Sequence, residues 1–167
     1  CFEACHFSPF VYCGTMLNAP GKWTFFCSHS RQSPTAPALV EKLTSSLKDL
    51  YGWTSWLDVN MKIKTEEAMQ EGVENSSIFV AVVSDDGPPG RAYFDRIFCL
   101  KEAHWALEAG LPIQVVISSK DKERIGELLE KCPDNLCPRS AHTAILNAIT
   151  AADVVIARHA TFARVHH

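Results

Sequence analysis

The chain has 167 residues, enough for one domain with a continuous core and too few for two large ones. Hydrophobic residues make up 47% and charged residues 21%, ordinary values for a soluble globular protein. With a formal net charge of -3, no concentrated Lys/Arg stretch and no apolar run near the roughly 20 residues that span a bilayer, neither a nucleic-acid footprint nor a membrane segment is expected.

Residues 1–21 mix aromatics and cysteines without a period and close on the turn signal Asn18-Ala19-Pro20-Gly21, so they read as an N-terminal extension to a domain over 22–167. The patterned region opens with Trp23-Thr24-Phe25-Phe26-Cys27, a buried-strand run, followed by a polar loop over 28–34. Leu39, Val40, Leu43, Leu47 and Leu50 then fall at helical spacing, which predicts a helix from Pro37 to about Tyr51, stopped by Gly52.

Residues 53–59 read as a second, shorter strand and 60–64 as a basic loop. Thr65 is placed to cap a helix whose first turn carries Glu66 and Glu67, and whose inner face is Ala68, Met69, Gly72 and Val73. Residues 77–83 are apolar on both faces, the signature of a central strand in a parallel sheet. After the loop at Gly87-Pro88-Pro89-Gly90, a helical period runs from Tyr93 to Ala109, and residues 112–117 form another buried strand. Charged or amphipathic helices are expected over 120–131 and 140–152; residues 154–157 fit either a last strand or a continuation of the helix.

Strands alternating with helices through short loops imply parallel strands joined by right-handed crossovers. Ligands of such sheets bind beyond the carboxyl ends of the strands, here 28–31, 58–64 and 84–90. The seven cysteines are odd in number and irregularly spaced, and Cys27 and Cys99 sit in apolar runs, which fits free thiols in a reducing, intracellular compartment. Neither Cys1, Cys5 and His6 nor Cys132 and Cys137 completes a metal-ligand set at familiar spacing, so no metal site is expected.

Three segments, in order, resemble the TIR (Toll/interleukin-1 receptor) family. Phe25-Phe26-Cys27-Ser28-His29-Ser30 is similar to the strand and loop with which these domains open. Trp56-Leu57-Asp58, the loop to Lys64, the stretch EAMQEGVENS over 67–76 and the strand closing on Ser84 resemble the second strand, BB loop, second helix and third strand. Phe98-Cys99-Leu100-Lys101-Glu102, followed by Gly110 and residues 112–117, resembles the W-C-L-x-E helix and the next strand of plant and bacterial members. The resemblance covers Trp23 to about Ser118. It implies an α/β, flavodoxin-like three-layer sandwich with a central parallel sheet of about five strands.

Many TIR domains cleave the nicotinamide N-glycosidic bond of NAD, and the resemblance gives Glu102 the catalytic position. From the residues alone, a Glu between Lys101 and His104 is a solvated helix carboxylate. The resemblance places Phe26, Ser28, His29, Arg31, Asp58, Ser84 and Phe98 around NAD as substrate, with no cofactor. Arg31, as a forked guanidinium, suits a pyrophosphate. Five of these residues also have a plainer reading: Phe98 as core packing, Arg31 as a solvated charge, His29 as a loop or helix-cap residue, and Asp58 and Ser84 as turn formers. Phe98 stands where family enzymes often carry Trp. Asn60, Met61, Lys62, Ile63 and Lys64 form the loop that the resemblance assigns to self-association with other TIR domains, implying a homo-oligomer in cytoplasmic innate-immune or stress signalling.

Two other functions compete with the NAD hydrolase: a non-catalytic adaptor acting through TIR-TIR contacts, and a nucleoside deoxyribosyltransferase-like enzyme, which also uses a Glu at a ribosyl centre. A phosphoacceptor receiver domain is disfavoured, because Ser28 and His29 stand where its paired acidic residues are expected.

Overall fold

A computed structural model describes residues 16–130 and 155–157. Five parallel strands, β1 (Trp23–His29), β2 (Ser55–Trp56), β3 (Ser76–Val83), β4 (Ile113–Ser118) and β5 (Val155–Ala157), lie in the order β2-β1-β3-β4-β5. This is the flavodoxin-like winding, in which the chain steps to one side of β1 and then to the other. The crevice beyond the carboxyl ends of β1 and β3 is therefore the switch point where ligands of such sheets bind.

Side-chain alternation along each strand builds two cores. On one face Phe26, Phe79, Ala81, Val83, Val115 and Ile117 join Trp56, Val73, Tyr93 and Leu100. On the other, Phe25, Cys27, Val80, Val82 and Val116 pack with Ala36, Val40 and Leu57. The helices that supply these partners are α1 (Ala36–Tyr51), α2 (Glu66–Glu74) and α3 (Ile97–Glu108), followed by the short α4 (Ser119–Glu123) and α5 (Ile125–Glu130). The result is the three-layer sandwich expected from the sequence, with β3 in the middle of the sheet.

Helix ends follow local chemistry. Gly52 adopts φ 67° and ends α1 in the left-handed conformation, its N–H bonded to the carbonyls of Leu47 and Lys48. Thr65 caps α2 by accepting from Ala68 N at 3.3 Å. Gly72 lets α2 lie against Trp56, since a Cβ there would sit 2.4 Å from the indole nitrogen.

Three elements differ from the sequence expectation. The second strand shortens from 53–59 to Ser55–Trp56, because Asp58 to Asn60 turn into a 3-10 helix closed by Asn60 N→Leu57 O at 2.9 Å. It is an edge strand, and Asp and Asn favour turns over an unsupported extension. The helix expected from Tyr93 divides into a 3-10 turn, Tyr93–Asp95, and α3, because the Asp95 carboxylate accepts from Gly90 N and Ala92 N and fixes the turn locally. The helix expected over 120–131 breaks at Arg124, whose guanidinium is held by Glu127 and Asp85. Residues 155–157 pair with β4 as a strand, which resolves the two readings of that segment. The helix expected over 140–152 lies outside the described residues, as does the extension before Met16.

Candidate active site

The carboxyl ends of β1 and β2, the 3-10 turn at Asp58, Lys64 and the first two turns of α3 enclose a cleft of about 270 Å³. Glu102 points into it from the second turn of α3 and is only 8% exposed. Leu100, Ala103 and Ala106 anchor that helix in the core, so the carboxylate rides on a fixed element.

Glu102 Oε2 accepts a 2.6 Å hydrogen bond from Ser28 Oγ. Ser28 Oγ in turn lies 2.9 Å from the Tyr93 hydroxyl, whose other neighbour is the Cys99 carbonyl at 3.5 Å. The shorter contact is the stronger bond. With the Ser28 proton committed to Glu102, the Tyr93 proton points to Ser28, and a buried relay Tyr93→Ser28→Glu102 results.

Burial pushes the Glu102 carboxyl up to about 8; the Ser28 hydrogen bond opposes that rise and the Asp58 charge adds to it. Burial also raises the Cys27, Cys99 and Tyr93 groups above their ordinary values, with the Glu102 charge a further cause in each. Cys27 and Cys99 line the cleft as protonated thiols, which removes them as nucleophiles. His29 is lowered, chiefly by burial, and stays a neutral imidazole on the cleft wall.

The lining also carries three cations, Arg31, Lys64 and Arg96. Arg31 Nη1 pairs with Asp58 Oδ2 at 3.0 Å, so its charge is already engaged. The second Asp58 oxygen, Oδ1, is buried without a hydrogen-bond partner. Arg96 precedes α3 and reaches the Gln32 side chain at 3.3 Å and the Gly90 carbonyl at 3.5 Å, both neutral acceptors. Phe98 stands one turn before Glu102, 42% exposed at the mouth, with the Lys101 ammonium 5.7 Å from its ring centroid.

Of the residues singled out in the sequence, the structure brings His29, Arg31, Asp58, Lys64, Phe98 and Glu102 together around this cleft. Three others do not line it. Phe26 is fully buried, stacked on Trp56 at 4.6 Å, and belongs to the core because it alternates with the opposite face of β1. Ser28 is 1% exposed and serves Glu102 instead of facing the cleft. Ser84 is buried past the end of β3, where its carbonyl accepts from Tyr93 N, and does not line the cleft. In the loop, Met61 packs against the core, while Asn60, Lys62 and Ile63 face outward. Tyr93 and Arg96 are site residues that sequence reading missed. Their signal was faint: a Tyr and an Arg just ahead of the Phe98-to-Glu102 stretch.

No family model matches the chain, and no curated protein matches it. Among solved structures, the TIR domains of the activated Roq1 resistosome, which directly recognises the pathogen effector XopQ, superpose with a TM-score of 0.58 at 18% identity, over 77% of this chain and 84% of that one. The TIR domain of the Toll-related receptor TRR-2 from the lower metazoan Hydra magnipapillata aligns over 57% of this chain and 70% of its own, at 16% identity and a TM-score of 0.45. The chain has the fold of a TIR domain. Among the described residues no helix is long and apolar enough to cross a membrane.

Proposed function

We propose that the chain is an NAD glycohydrolase that cleaves the nicotinamide N-glycosidic bond, with Glu102 as the catalytic carboxylate. The observation that carries this reading is a buried carboxylate on a core-anchored helix, held by Ser28 at 2.6 Å, in a cleft that an exposed aromatic ring also lines.

Ordinary glycosidases need a second carboxyl group to protonate the leaving oxygen. In NAD the leaving group is a pyridinium. As the bond from the ribose anomeric carbon to the ring nitrogen breaks, its electron pair returns to nitrogen and neutral nicotinamide departs without a proton. What remains is a positive ribosyl centre, which a fixed carboxylate stabilises electrostatically. Water then adds to that carbon and gives up a proton, leaving ADP-ribose. Before substrate binds, burial lets Glu102 hold its proton to about 8. The positive charge of the bound pyridinium favours the ionised form, so substrate itself prepares the carboxylate.

The remaining groups suit a dinucleotide. The Phe98 ring offers a flat face for a base beside Glu102, and the orphaned Asp58 Oδ1 is an acceptor that a ribose hydroxyl would satisfy. Arg96, whose hydrogen-bond partners among the described residues are neutral, suits a pyrophosphate. Self-association through the loop 60–64 is part of this reading, supported by the exposure of Ile63 and of the neighbouring Val59, 37% and 53%. Those side chains equally favour a second reading, an adaptor that signals through TIR-TIR contacts alone. Cytoplasmic signalling is proposed for either.

Discrimination between NAD and its reduced form tests the chemistry. Only the oxidised ring leaves as a neutral base, so the assembled protein should release nicotinamide from NAD and leave NADH intact. Transfer of deoxyribose between bases with NAD untouched would instead indicate the deoxyribosyltransferase-like enzyme, and an assembled chain inert to all three substrates would indicate the adaptor.

A further inference from the structure

The segment 16–21, which precedes β1, lies across the loop 60–64 and is tied to it by one side chain. Asn18 Oδ1 accepts from the backbone N–H of both Lys62 and Ile63, each at 3.1 Å, and Asn18 Nδ2 donates to the Ile63 carbonyl at 2.9 Å. One amide thus satisfies a donor pair and an acceptor as a neighbouring strand would. Asn18 is 5% exposed although both of its chain neighbours are exposed, so the loop itself covers it. A second tie, Leu17 N→Glu71 Oε1 at 2.9 Å, fastens the segment to α2. Leu17, Asn18, Ala19, Asn60, Met61 and Lys62 enclose a small cavity of about 140 Å³ at the junction.

The loop fastened in this way borders the cleft. Asp58 just before it and Lys64 at its end both line the site, and the Arg31–Asp58 ion pair draws the same turn towards the β1 loop. In this arrangement the cleft holds about 270 Å³. Pockets for ligands of drug or cofactor size run to roughly 300–1,000 Å³, and a dinucleotide belongs in the upper part of that range. The cleft in this arrangement falls below that range.

We infer that residues 16–21 act as a latch, with Asn18 its bolt, holding the loop 60–64 in the contracted conformation so that release of the latch opens the cleft. The three Asn18 bonds lie at a surface-facing loop whose own backbone groups can turn to water, so the latch can open without unfolding the sheet. In its consequence for turnover the inference rests on the NAD-cleaving reading; the latch itself does not.

Amide hydrogen exchange of the full chain tests both parts. Asn18→Ala removes all three bonds, and Asn18→Asp keeps the acceptor while setting an oxygen against the Ile63 carbonyl. Either variant is expected to exchange the Lys62 and Ile63 amides at least about tenfold faster than the wild type, with β3 amides unchanged. Asn18→Asp, nearly isosteric, serves if Asn18→Ala does not fold. Wild-type exchange at Lys62 and Ile63 in the variants would overturn the latch, whatever the NAD assay gives. With exchange accelerated, nicotinamide release should rise about threefold or more; unchanged or slower release would overturn its restraining role. Accelerated exchange with NAD intact in every protein would sink the hydrolase reading while supporting the latch.

Discussion

Ser28 and Glu102 stand 74 residues apart in the chain, and their side chains meet at 2.6 Å across the interface of β1 and α3. Ser28 donates, so it stabilises the ionised carboxylate and holds it in one orientation. Without it nothing offsets the burial that raises the Glu102 carboxyl.

Ser28→Ala should therefore shift the pH profile of nicotinamide release upward and lower kcat/KM near neutral pH by about tenfold. Tyr93→Phe, which removes the donor behind Ser28, is expected to shift the profile in the same direction by less. A merely structural loss would lower the amount of active protein without moving the profile.

The raised Glu102 carboxyl also sets a stability signature. In the folded chain it keeps its proton to about 8, while unfolded it releases it at 4.5. Between those values the folded state binds the extra proton, so this group's contribution to stability falls as pH rises. Glu102→Gln is expected to match the wild type near about pH 4 and to exceed it by about 1–3 kcal/mol near about pH 8, read from urea unfolding at the two pH values.

Phe98 lines the cleft while remaining 42% exposed, the arrangement of a stacking platform more than of a core residue. Phe98→Ala should raise KM by about tenfold with folding stability changed by less than about 1 kcal/mol, and Phe98→Trp should restore or improve binding. Steady-state kinetics beside thermal unfolding separate these effects.

Gly72 is fitted to the Trp56 indole. Gly72→Ala should destabilise the chain by about 1–3 kcal/mol, since the added Cβ would meet the ring of the buried Trp56 at 2.4 Å. Chemical denaturation measures it.

The winding was legible because its signals are periodic and redundant. The apolar β3, the Thr65 cap and the Gly52 stop each depend on near neighbours in sequence, and each stands in the structure where its residues place it. Glu102 was legible only through its resemblance, since by its sequence neighbours it is a surface carboxylate; its burial comes from β1 and the Asp58 turn. For Phe26, Ser28 and Ser84 proximity to strand ends was a correct guide to region and a poor guide to direction. Alternation on a strand decides which side chains face the cleft, and a one-residue difference turns them into the core. The Tyr93 relay and the Asn18 latch depend on contacts between distant segments, which no local pattern encodes.

Nicotinamide release by the wild type and by Glu102→Gln, followed from about pH 6 to 9 at protein concentrations where light scattering shows association, addresses the central claim most directly. Release by the wild type that rises as the carboxyl ionises, with Glu102→Gln inert at every pH, is the expected result. Equal release by both proteins would contradict the role of Glu102, and no release by an associated wild type would contradict the enzyme itself.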